Sequence, residues 1–508
     1  MKSQLKSGVI LSYINLSLST IIPLVYTPIM LRMLGQSEYG IYSLASSAIS
    51  YLSLLSFGFG ATIVRYIAKY RAEGNEEEEK ETYGFFILLY IILAIIVFCC
   101  GVVISLNVDN IFYKGLTNSE LNKTKILLLI MSFNTALSFP LSVFSSVVVA
   151  YERYVFRKIV DMLSTIIAPL ANLIVLYLGF ASVGMCLTTT CIQFAMLPLN
   201  VFYCSRVLKI SPRFSALKIG VIKEMLGFSF FVFLGSIADM LFWSTDKVIL
   251  GMLASSAAVA VYNIGGTFNS MIMNLSTSIS GVLAPRITAM VVKKNESQQL
   301  SELFIKIGRL QYLVIALVIS GYTVFGRQFI YLWAGPEYNN AYYIALLTIV
   351  PLSIPLIQNT GLSVLIAQNR HQFRSIVYLV IAIINAVSTY FAVPYYGIYG
   401  AAICSCISYL IGQGYIMNIY YYKKAGINIP EFWRQIMKMS IIPIFMMSIG
   451  LLIAGNFWDM SWGELLGGII IYTGLYFILM YKFVMNEYEI NLFHNGILRI
   501  CKLMKHYF

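Results

Sequence analysis

The sequence contains few charged residues. Asp, Glu, Lys and Arg make up 11% of its 508 residues, whereas a soluble domain carries roughly 25%. Hydrophobic residues make up 59%, and the mean hydropathy is +0.79. So little charge cannot form a polar shell around so much apolar surface. This composition excludes a soluble globular protein and indicates that lipid is the solvent for much of the chain.

Histidine is scarce, and the cysteines form no recognisable ligand pattern. The three histidines, His371, His494 and His506, are scattered and form no cluster in the sequence. The eight cysteines include no CxxC pair, and they lie in apolar segments, at segment ends or in the C-terminal tail. A metal centre and a disulfide framework therefore have no support. We expect no cofactor, and only H⁺ or Na⁺ as a possible coupling ion.

The sequence also lacks the features of an enzyme. The longest predicted outer loop, about 107–125, contains Asp109 and Glu120 but no Gly-rich phosphate loop. We find no nucleophile and base at a catalytic spacing. A membrane-embedded glycosyltransferase or polymerase typically carries a large extramembrane loop with such groups. We therefore expect a protein that is not an enzyme.

Long apolar segments dominate the chain. We count fourteen that approach the length of about 20 residues needed to span a bilayer as a helix. Both termini are predicted to be cytoplasmic, because most of the 35 Lys and Arg then lie on that side. The net charge of +13 is then a topology signal, and we expect no nucleic-acid partner. The segments are 8–31, 41–64, 85–106, 126–149, 159–178, 183–203, 228–250, 261–283, 312–333, 341–367, 376–393, 398–419, 439–458 and 465–483.

One of these segments is unusually polar. Residues 261–283 are rich in Ser, Asn and Gly. A helix of this composition cannot face lipid on all sides, because its polar groups need partners. We therefore expect one of its faces to meet water or another helix.

The chain contains an internal repeat. Phe156–Val160 reads Phe-Arg-Lys-Ile-Val, and 217 residues later Phe373–Val377 reads Phe-Arg-Ser-Ile-Val. Two other pairs recur in the same order, namely the glycine-marked turns Gly179/Gly184 and Gly397/Gly400 and the segments Tyr42–Arg65 and Tyr262–Arg286. Each match is short, but three in one order indicate a duplicated membrane half, as in many transporters.

The duplication predicts an all-α integral membrane protein of two parallel, pseudo-symmetric six-helix lobes plus two C-terminal helices. Six spans are an even number, so both lobes enter the membrane in the same direction, and their pseudo-two-fold axis lies along the membrane normal. The predicted parts are an N-terminal lobe at 1–205, a basic cytoplasmic linker at 206–227, a C-terminal lobe at 228–424, two extra spans at 437–485 and a cytoplasmic amphipathic tail at 486–508.

Three stretches resemble a known family. They are Met30–Tyr42 (Met-Leu-Arg-Met-Leu-Gly-Gln-Ser-Glu-Tyr-Gly-Ile-Tyr), Gly58-Phe-Gly60 running to Arg65–Tyr70, and Asp246–Met252 followed by Tyr262. Together they resemble the Wzx-like flippases of O-antigen and capsule repeat units. These belong to the superfamily that also holds MATE multidrug exporters and the lipid II flippase MurJ.

The resemblance implies a function as well as a MATE-like fold. The implied substrate is an undecaprenyl-diphosphate-linked oligosaccharide in a bacterial cytoplasmic membrane. Its sugar head group would pass between the lobes by alternating access, often with ion coupling, while its lipid tail stays in the bilayer. The implied partners are membrane lipids, a polysaccharide polymerase and glycosyltransferases.

Two acidic residues are candidates for ion coupling. Asp239 lies near the middle of the 228–250 segment, and Asp246 follows seven residues later. Together with Trp243, both lie on one helical face. An intramembrane carboxylate without a partner can bind and release a proton or Na⁺. The alternative is a structural ion pair, for example between Asp246 and Arg327.

Basic and amide residues are candidates for the substrate site. Arg65 and Arg286 are equivalent in the repeat, and two guanidiniums at the inner mouth would clamp a diphosphate. The alternative role is that of positive-inside anchors. Amides inside spans are candidates for sugar binding, and the alternative for each is an interhelical hydrogen bond. The other candidates are Arg32, Arg327 and Lys247 for the diphosphate, and Asn269 and Asn274 for the cavity.

A MATE-type drug or metabolite exporter is the alternative function. Its cavity would favour cationic amphiphiles and would be lined by acidic and aromatic residues. Asp239 and Asp246 fit that function, whereas Arg65 and Arg286 fit an anionic lipid-linked substrate.

Overall fold

The computed structural model describes residues 2–214, 219–281, 297–368, 370–454, 460–492 and 494, and within them it contains helices and no strands. The helices are α1 (Lys2–Leu34), α2 (Gln36–Ser50), α3 (Phe59–Glu73), α4 (Glu76–Leu106), α5 (Val108–Phe112), α6 (Asn118–Ala150), α7 (Tyr154–Tyr177), α8 (Ala181–Phe202), α9 (Ile219–Leu253), α10 (Ser256–Gly281), α11 (Ser297–Trp333), α12 (Ala341–Ile357), α13 (Thr360–Ala367), α14 (His371–Tyr409), α15 (Met417–Lys423), α16 (Ile429–Ala454) and α17 (Trp462–Phe483).

The predicted count of fourteen spans is not confirmed by hydropathy. By length and hydropathy, the described residues contain eleven helical segments that can cross a membrane, or twelve if the bent pair α12–α13 counts as one. α10 is not among them, because its Ser, Asn and Gly residues lower its hydropathy. Residues 372–423 count as one segment, although they cover two predicted spans. The all-α membrane architecture is confirmed, but the count of fourteen is not.

α14 contains a sharp turn at Gly397. This glycine has φ +54°, which an L-residue adopts only at a cost. A Cβ on Gly400 would lie 2.8 Å from the carbonyl oxygen of Ala392. In a straight helix, eight residues rise about 12 Å. The chain therefore reverses direction here, and the predicted segments 376–393 and 398–419 are the two arms of the turn.

The second predicted span is broken. After α2, a 3₁₀ turn covers Tyr51–Ser56, and Phe57 and Gly58 have φ +49° and +68° before α3 begins. A Cβ on Gly58 would lie 2.5 Å from the Cγ1 of Val232 on α9. The break therefore lets the backbone of this span lie directly against α9.

The chain divides into two compact units, and the first comprises Met1–Asn263 and Tyr378–Cys404. Within it, α4 packs on α6 through aromatic pairs such as Tyr90 with Phe139, at 5.6 Å between ring centroids. α1 packs on α7, and α2 packs on both α6 and α9. This unit thus includes helices of both predicted lobes, and the lobe boundaries themselves stay a prediction.

The basic linker begins on the surface of α4. The backbone N–H of Arg213 donates to the carbonyl oxygen of Lys80 at 2.9 Å, and its guanidinium pairs with Glu77 at 3.0 Å. A side chain at Gly84 would overlap the carbonyl of Arg213. α9 then begins at Ile219, inside the predicted linker.

The second unit comprises Ile264–Val377 and Ser405–Phe508. Its core lies where α11 packs against α16 and α17. Beyond α17, Glu489 forms a bidentate ion pair with Arg309 of α11 at 2.7 and 2.8 Å, and the two side chains are 2% and 8% exposed. The ion pair holds the start of the predicted tail against α11. The rest of that tail, apart from His494, lies outside the described residues.

Candidate functional site

Asp246 of α9 lies in a buried polar site. Its side chain is 2% exposed. The hydroxyl of Tyr262 on α10 donates to one carboxylate oxygen at 2.5 Å, and that of Thr389 on α14 donates to the other at 3.2 Å. α10 and α14 thus each place a hydroxyl group on this one buried carboxylate. A charge at this depth is costly unless it is paired or coordinated, so the position marks a functional candidate.

Lys247 belongs to a second group of contacts beside Asp246. Its ammonium donates to the side-chain oxygen of Asn263 at 3.2 Å. The amide nitrogen of Asn263 in turn donates to Tyr39 at 2.7 Å and to Ser43 at 3.2 Å, both on α2. Asp246 and Lys247 thus lie among five polar residues that were not predicted to belong to this site. These are Tyr39, Ser43, Tyr262, Asn263 and Thr389. These contacts do not test a role of Lys247 in diphosphate binding.

The partners of Asp246 were only partly visible in the sequence. Tyr262 was singled out as the repeat partner of Tyr42 and as the end of the motif that begins at Asp246. That shared motif was a signal for their contact. Thr389 lies 143 residues from Asp246, and nothing in the local pattern marks it.

Asp239 has a different environment. It lies on the same helix as Asp246, but its side chain is exposed, whereas Trp243 between them is half-buried. The three residues share a helical face, as predicted, but the packing against that face changes along α9. Asp239 is at the surface of the protein, and Asp246 is enclosed. The two predicted carboxylates therefore differ in their surroundings, and their role in ion coupling stays a prediction.

The predicted arginines are distributed over several helices. Arg32, at the end of α1, and Arg65, on α3, are exposed in the first unit, and Arg327, on α11, is exposed in the second. Arg286 lies outside the described residues. The predicted clamp between Arg65 and Arg286 is therefore not tested and stays a prediction.

α10 has two polar faces. On the buried face within the second unit, Asn269 accepts a hydrogen bond from Thr348 of α12 at 3.0 Å. Ser276 donates to the carbonyl oxygen of Leu356 at 2.9 Å, and Ser280 accepts from Asn359 at 3.0 Å. Asn269 and Asn359 thus make interhelical hydrogen bonds, the alternative role predicted for such amides. A face of the predicted polar segment does meet another helix.

The other face of α10 is an exposed polar stripe. It consists of Ser270, Asn274 and Thr277, which are all exposed and spaced by four and three residues. This spacing places them on one side of the helix. An exposed polar stripe on a helix among membrane spans faces water or a polar ligand more favourably than lipid. Asn274 is therefore available to a ligand, whereas Asn269 is engaged in packing.

The side-chain amides of the first unit fall into two groups. Asn134 donates to Cys186 O at 3.0 Å and accepts from Thr190 at 2.6 Å, so its role is packing. By contrast, the side-chain oxygens of Asn15, Asn172 and Gln193 are buried and accept no hydrogen bond among the described residues. These three lie on α1, α7 and α8, and each has the capacity to bind a hydroxyl group.

An apolar cavity of about 490 Å³ lies in the second unit between α11, α16 and α17. Its walls include Phe325, Met446, Ile449 and Leu475, and Glu464 is the charged residue among those that line it. A cavity with these walls accepts hydrocarbon and offers few partners to a polar head group.

Comparison with known proteins shows the family. The sequence matches the family model described as "Polysaccharide biosynthesis protein" over residues 5–291, more than half of the chain. No curated protein sequence matches it significantly.

Solved structures show the fold. The structure titled "Lipid II flippase MurJ, inward closed conformation" has a TM-score of 0.71 and 16% identity, with 94% of this chain and 98% of that chain covered. An inward-facing multidrug resistance MATE family transporter of the MOP superfamily has a TM-score of 0.62 and 15% identity, with 83% and 99% covered. A MOP superfamily transporter from Pyrococcus furiosus has a TM-score of 0.56 and 16% identity, with 82% and 96% covered.

These similar structures are of a flippase and of transporters, and none of the three is an enzyme. The family match covers α1 to α10, which include Asp246 and its partner Tyr262. The chain therefore belongs to the polysaccharide biosynthesis protein family and is a multi-pass membrane protein with the fold of the MurJ and MATE transporters.

Proposed function

We propose that this protein moves an undecaprenyl-diphosphate-linked oligosaccharide from the inner to the outer leaflet of a bacterial cytoplasmic membrane by alternating access. Family membership supports a role in polysaccharide biosynthesis. The fold supports transport across the membrane, because a flippase and several exporters share it. Both termini are cytoplasmic in this proposal. The glycosyltransferases that build the repeat unit and the polymerase that consumes it are its functional partners.

The enclosed carboxylate of Asp246 is the observation that supports ion coupling. It is surrounded by the hydroxyls of Tyr262 and Thr389, and Lys247 is its neighbour in the chain. A proton or Na⁺ bound at Asp246 would change the net charge of this buried group by one unit. The free energy of a buried charge depends strongly on the groups around it, so binding would favour a different packing of these helices. Asp239, which is exposed on the same helix, delivers the cation or meets it from solvent.

The substrate makes three kinds of contact in this proposal. Its diphosphate meets exposed guanidiniums, with Arg65 and Arg32 as the described candidates of the first unit. Its sugars meet polar groups such as Asn274 and the buried acceptor oxygen of Asn172. Its isoprenoid chain stays in the bilayer, and the apolar cavity beside α17 offers it a contact surface.

Transport in proteoliposomes tests this function. The purified protein is reconstituted with an undecaprenyl-diphosphate-linked oligosaccharide, and a membrane-impermeant lectin measures the fraction of head groups that reaches the opposite leaflet. We expect flipping that depends on the protein and on a H⁺ or Na⁺ gradient. Empty liposomes and liposomes with a denatured sample are the controls. Equal flipping with and without the protein would contradict the proposal.

A cation-coupled drug or metabolite exporter is the second candidate. The exposed carboxylate of Asp239 favours it, because acidic groups attract cationic amphiphiles. Overexpression in a drug-sensitive strain distinguishes the two functions. Resistance to cationic dyes together with absence of lipid flipping would identify the exporter.

A further inference from the structure

Glycine residues bring two sets of helices into very close contact in the first unit. A side chain at Gly40 of α2 would overlap the carbonyl of Ser256, the first residue of α10. A side chain at Gly115 would overlap the carbonyl of Gly251, and one at Gly251 would overlap Leu44 of α2. We call these five residues the glycine seam. α2 and Gly115 belong to the first predicted lobe, and Gly251 and Ser256 belong to the second.

A carboxylate bridges the seam at one end. One oxygen of Glu120, at the start of α6, accepts hydrogen bonds from Ser37 of α2 and Ser256 of α10, both at 2.5 Å. Its other oxygen accepts from the backbone N–H and the hydroxyl of Thr117 at 2.8 and 2.9 Å. The capping box of α6 thus fixes Glu120, and its remaining oxygen ties α2 to α10.

Asn263 bridges the same seam two turns further along α10. Its amide nitrogen reaches across to Tyr39 and Ser43, which directly precede Gly40 and Leu44 of the seam. Its amide oxygen accepts from Lys247, the neighbour of Asp246. One side chain therefore contacts α2 beside the seam and also Lys247, the chain neighbour of the buried Asp246.

The contacts across the seam are hydrogen bonds and glycine contacts, which can break and re-form reversibly. Hydroxyl, amide and carboxylate groups can exchange these hydrogen bonds for bonds to water at a small net cost. Glycine contacts bury little side-chain surface. Packing inside the first predicted lobe is different, because α4 and α6 meet through large aromatic pairs such as Tyr83 with Phe144 and Tyr90 with Phe139. Separating those rings would expose apolar area at about 25 cal/mol per Å².

We propose that the glycine seam is a gate that opens in each transport cycle, and that Asn263 transmits the ionisation state of Asp246 and Lys247 to it. The gate rests on the proposed function. Ser37, Glu120 and Ser256 hold it closed at one end. Asn263 is a positioning residue, because it acts on the seam through Tyr39 and Ser43.

A reversible cross-link tests the gate. The eight native cysteines are replaced, and Ser37→Cys and Ser256→Cys are combined, since the two hydroxyl oxygens are 3.3 Å apart. We expect oxidation to stop transport and reduction to restore it. The matched control is Asn134→Cys with Thr190→Cys, whose side chains are 2.6 Å apart on α6 and α8 of one predicted lobe. Its cross-link should leave transport intact.

Cross-linking rates test Asn263 without any substrate. We expect Asp246→Asn to change the rate of Ser37–Ser256 cross-linking by about tenfold, the usual scale of coupling between two sites. With Asn263→Ala present, the same Asp246→Asn change should have little effect on that rate. Asn263→Gln, which keeps the amide, should restore part of the dependence.

The outcomes separate the gate from the function. Flipping that persists unchanged in the fully cross-linked Ser37–Ser256 protein overturns the gate and leaves the proposed function standing. A cross-linking rate that responds to Asp246→Asn through Asn263, in a protein that exports dyes and flips no lipid, overturns the proposed function and retains the gate. A response to Asp246→Asn that is equally large in the presence and in the absence of the Asn263→Ala substitution overturns the role of Asn263.

Discussion

The ring of Phe156 stacks on that of Tyr203 with centroids 3.6 Å apart and planes at 8°. Phe373 stacks on Tyr420 in the same way, at 4.2 Å and 15°. Both partners are displaced by 217 residues, the same offset as in the repeated Phe-Arg-x-Ile-Val motif. The repeat is therefore also a repeat of tertiary contacts, and each copy lies within one compact unit.

We expect Phe156→Ala and Phe373→Ala to destabilise the protein by similar amounts. Each loses an aromatic pair, which contributes about 0.5–1.5 kcal/mol beyond the buried area. Thermal unfolding in detergent measures both. Phe156→Leu and Phe373→Leu are the controls, because they retain apolar area and should cost less. A large loss in one copy and none in the other would show that the two contacts are not equivalent.

Asp239→Asn should leave the fold intact and abolish or uncouple transport. The side chain is exposed, so an amide of the same shape disturbs no core packing. Flipping and ion flux in proteoliposomes, with size-exclusion profiles as the folding control, measure the effect. Normal flipping with a normal dependence on pH and Na⁺ would remove Asp239 from the coupling mechanism.

Asn269→Ala should lower stability, whereas Asn274→Ala should weaken substrate binding. The first removes an interhelical hydrogen bond from the buried Thr348 hydroxyl, which can still donate to the carbonyl oxygen of Ile344, so it should cost about 0.5–1.5 kcal/mol of stability. The second changes an exposed position, so stability should be nearly unchanged while substrate binding weakens. Unfolding and binding are measured on both variants. Unchanged binding in Asn274→Ala would exclude its stripe from the substrate path.

Charge reversal of Arg65 and Arg286 together should abolish substrate binding if they clamp the diphosphate. Binding of the lipid-linked oligosaccharide to purified protein measures this. The level of protein in the membrane is the control, because topology anchors would show their effect there instead. Lower membrane insertion with normal binding by the remaining protein would identify both residues as anchors.

Arg309→Met alone should destabilise the protein by about 3–5 kcal/mol, because it leaves the carboxylate of Glu489 buried without its partner. Replacing both residues, as Arg309→Met with Glu489→Leu, should recover much of that loss. Chemical denaturation of the four variants of this cycle gives the coupling energy. Additive losses would show that the two charges do not depend on each other.

The sequence predicted the membrane class, the all-α fold and the repeat, because hydropathy and spacing are local properties of a chain. Hydropathy alone does not confirm the fourteen predicted spans, because α10 is too polar to be counted and residues 372–423 count as one segment. α10 is held by partners such as Thr348 and Leu356, which its own composition does not reveal. The sequence singled out Asp246 as a charge in a span. It did not find Thr389 and Asn263 beside the charged pair, because their positions depend on how α2, α10 and α14 pack.

The reversal at Gly397 has a consequence for how the protein is made. The turn leaves almost no loop between its two arms, and Tyr395 and Tyr396 at its tip are 83% and 68% exposed. We therefore expect the two arms to enter the bilayer as one helical hairpin, and an epitope tag inserted in this turn to lower the amount of protein in the membrane.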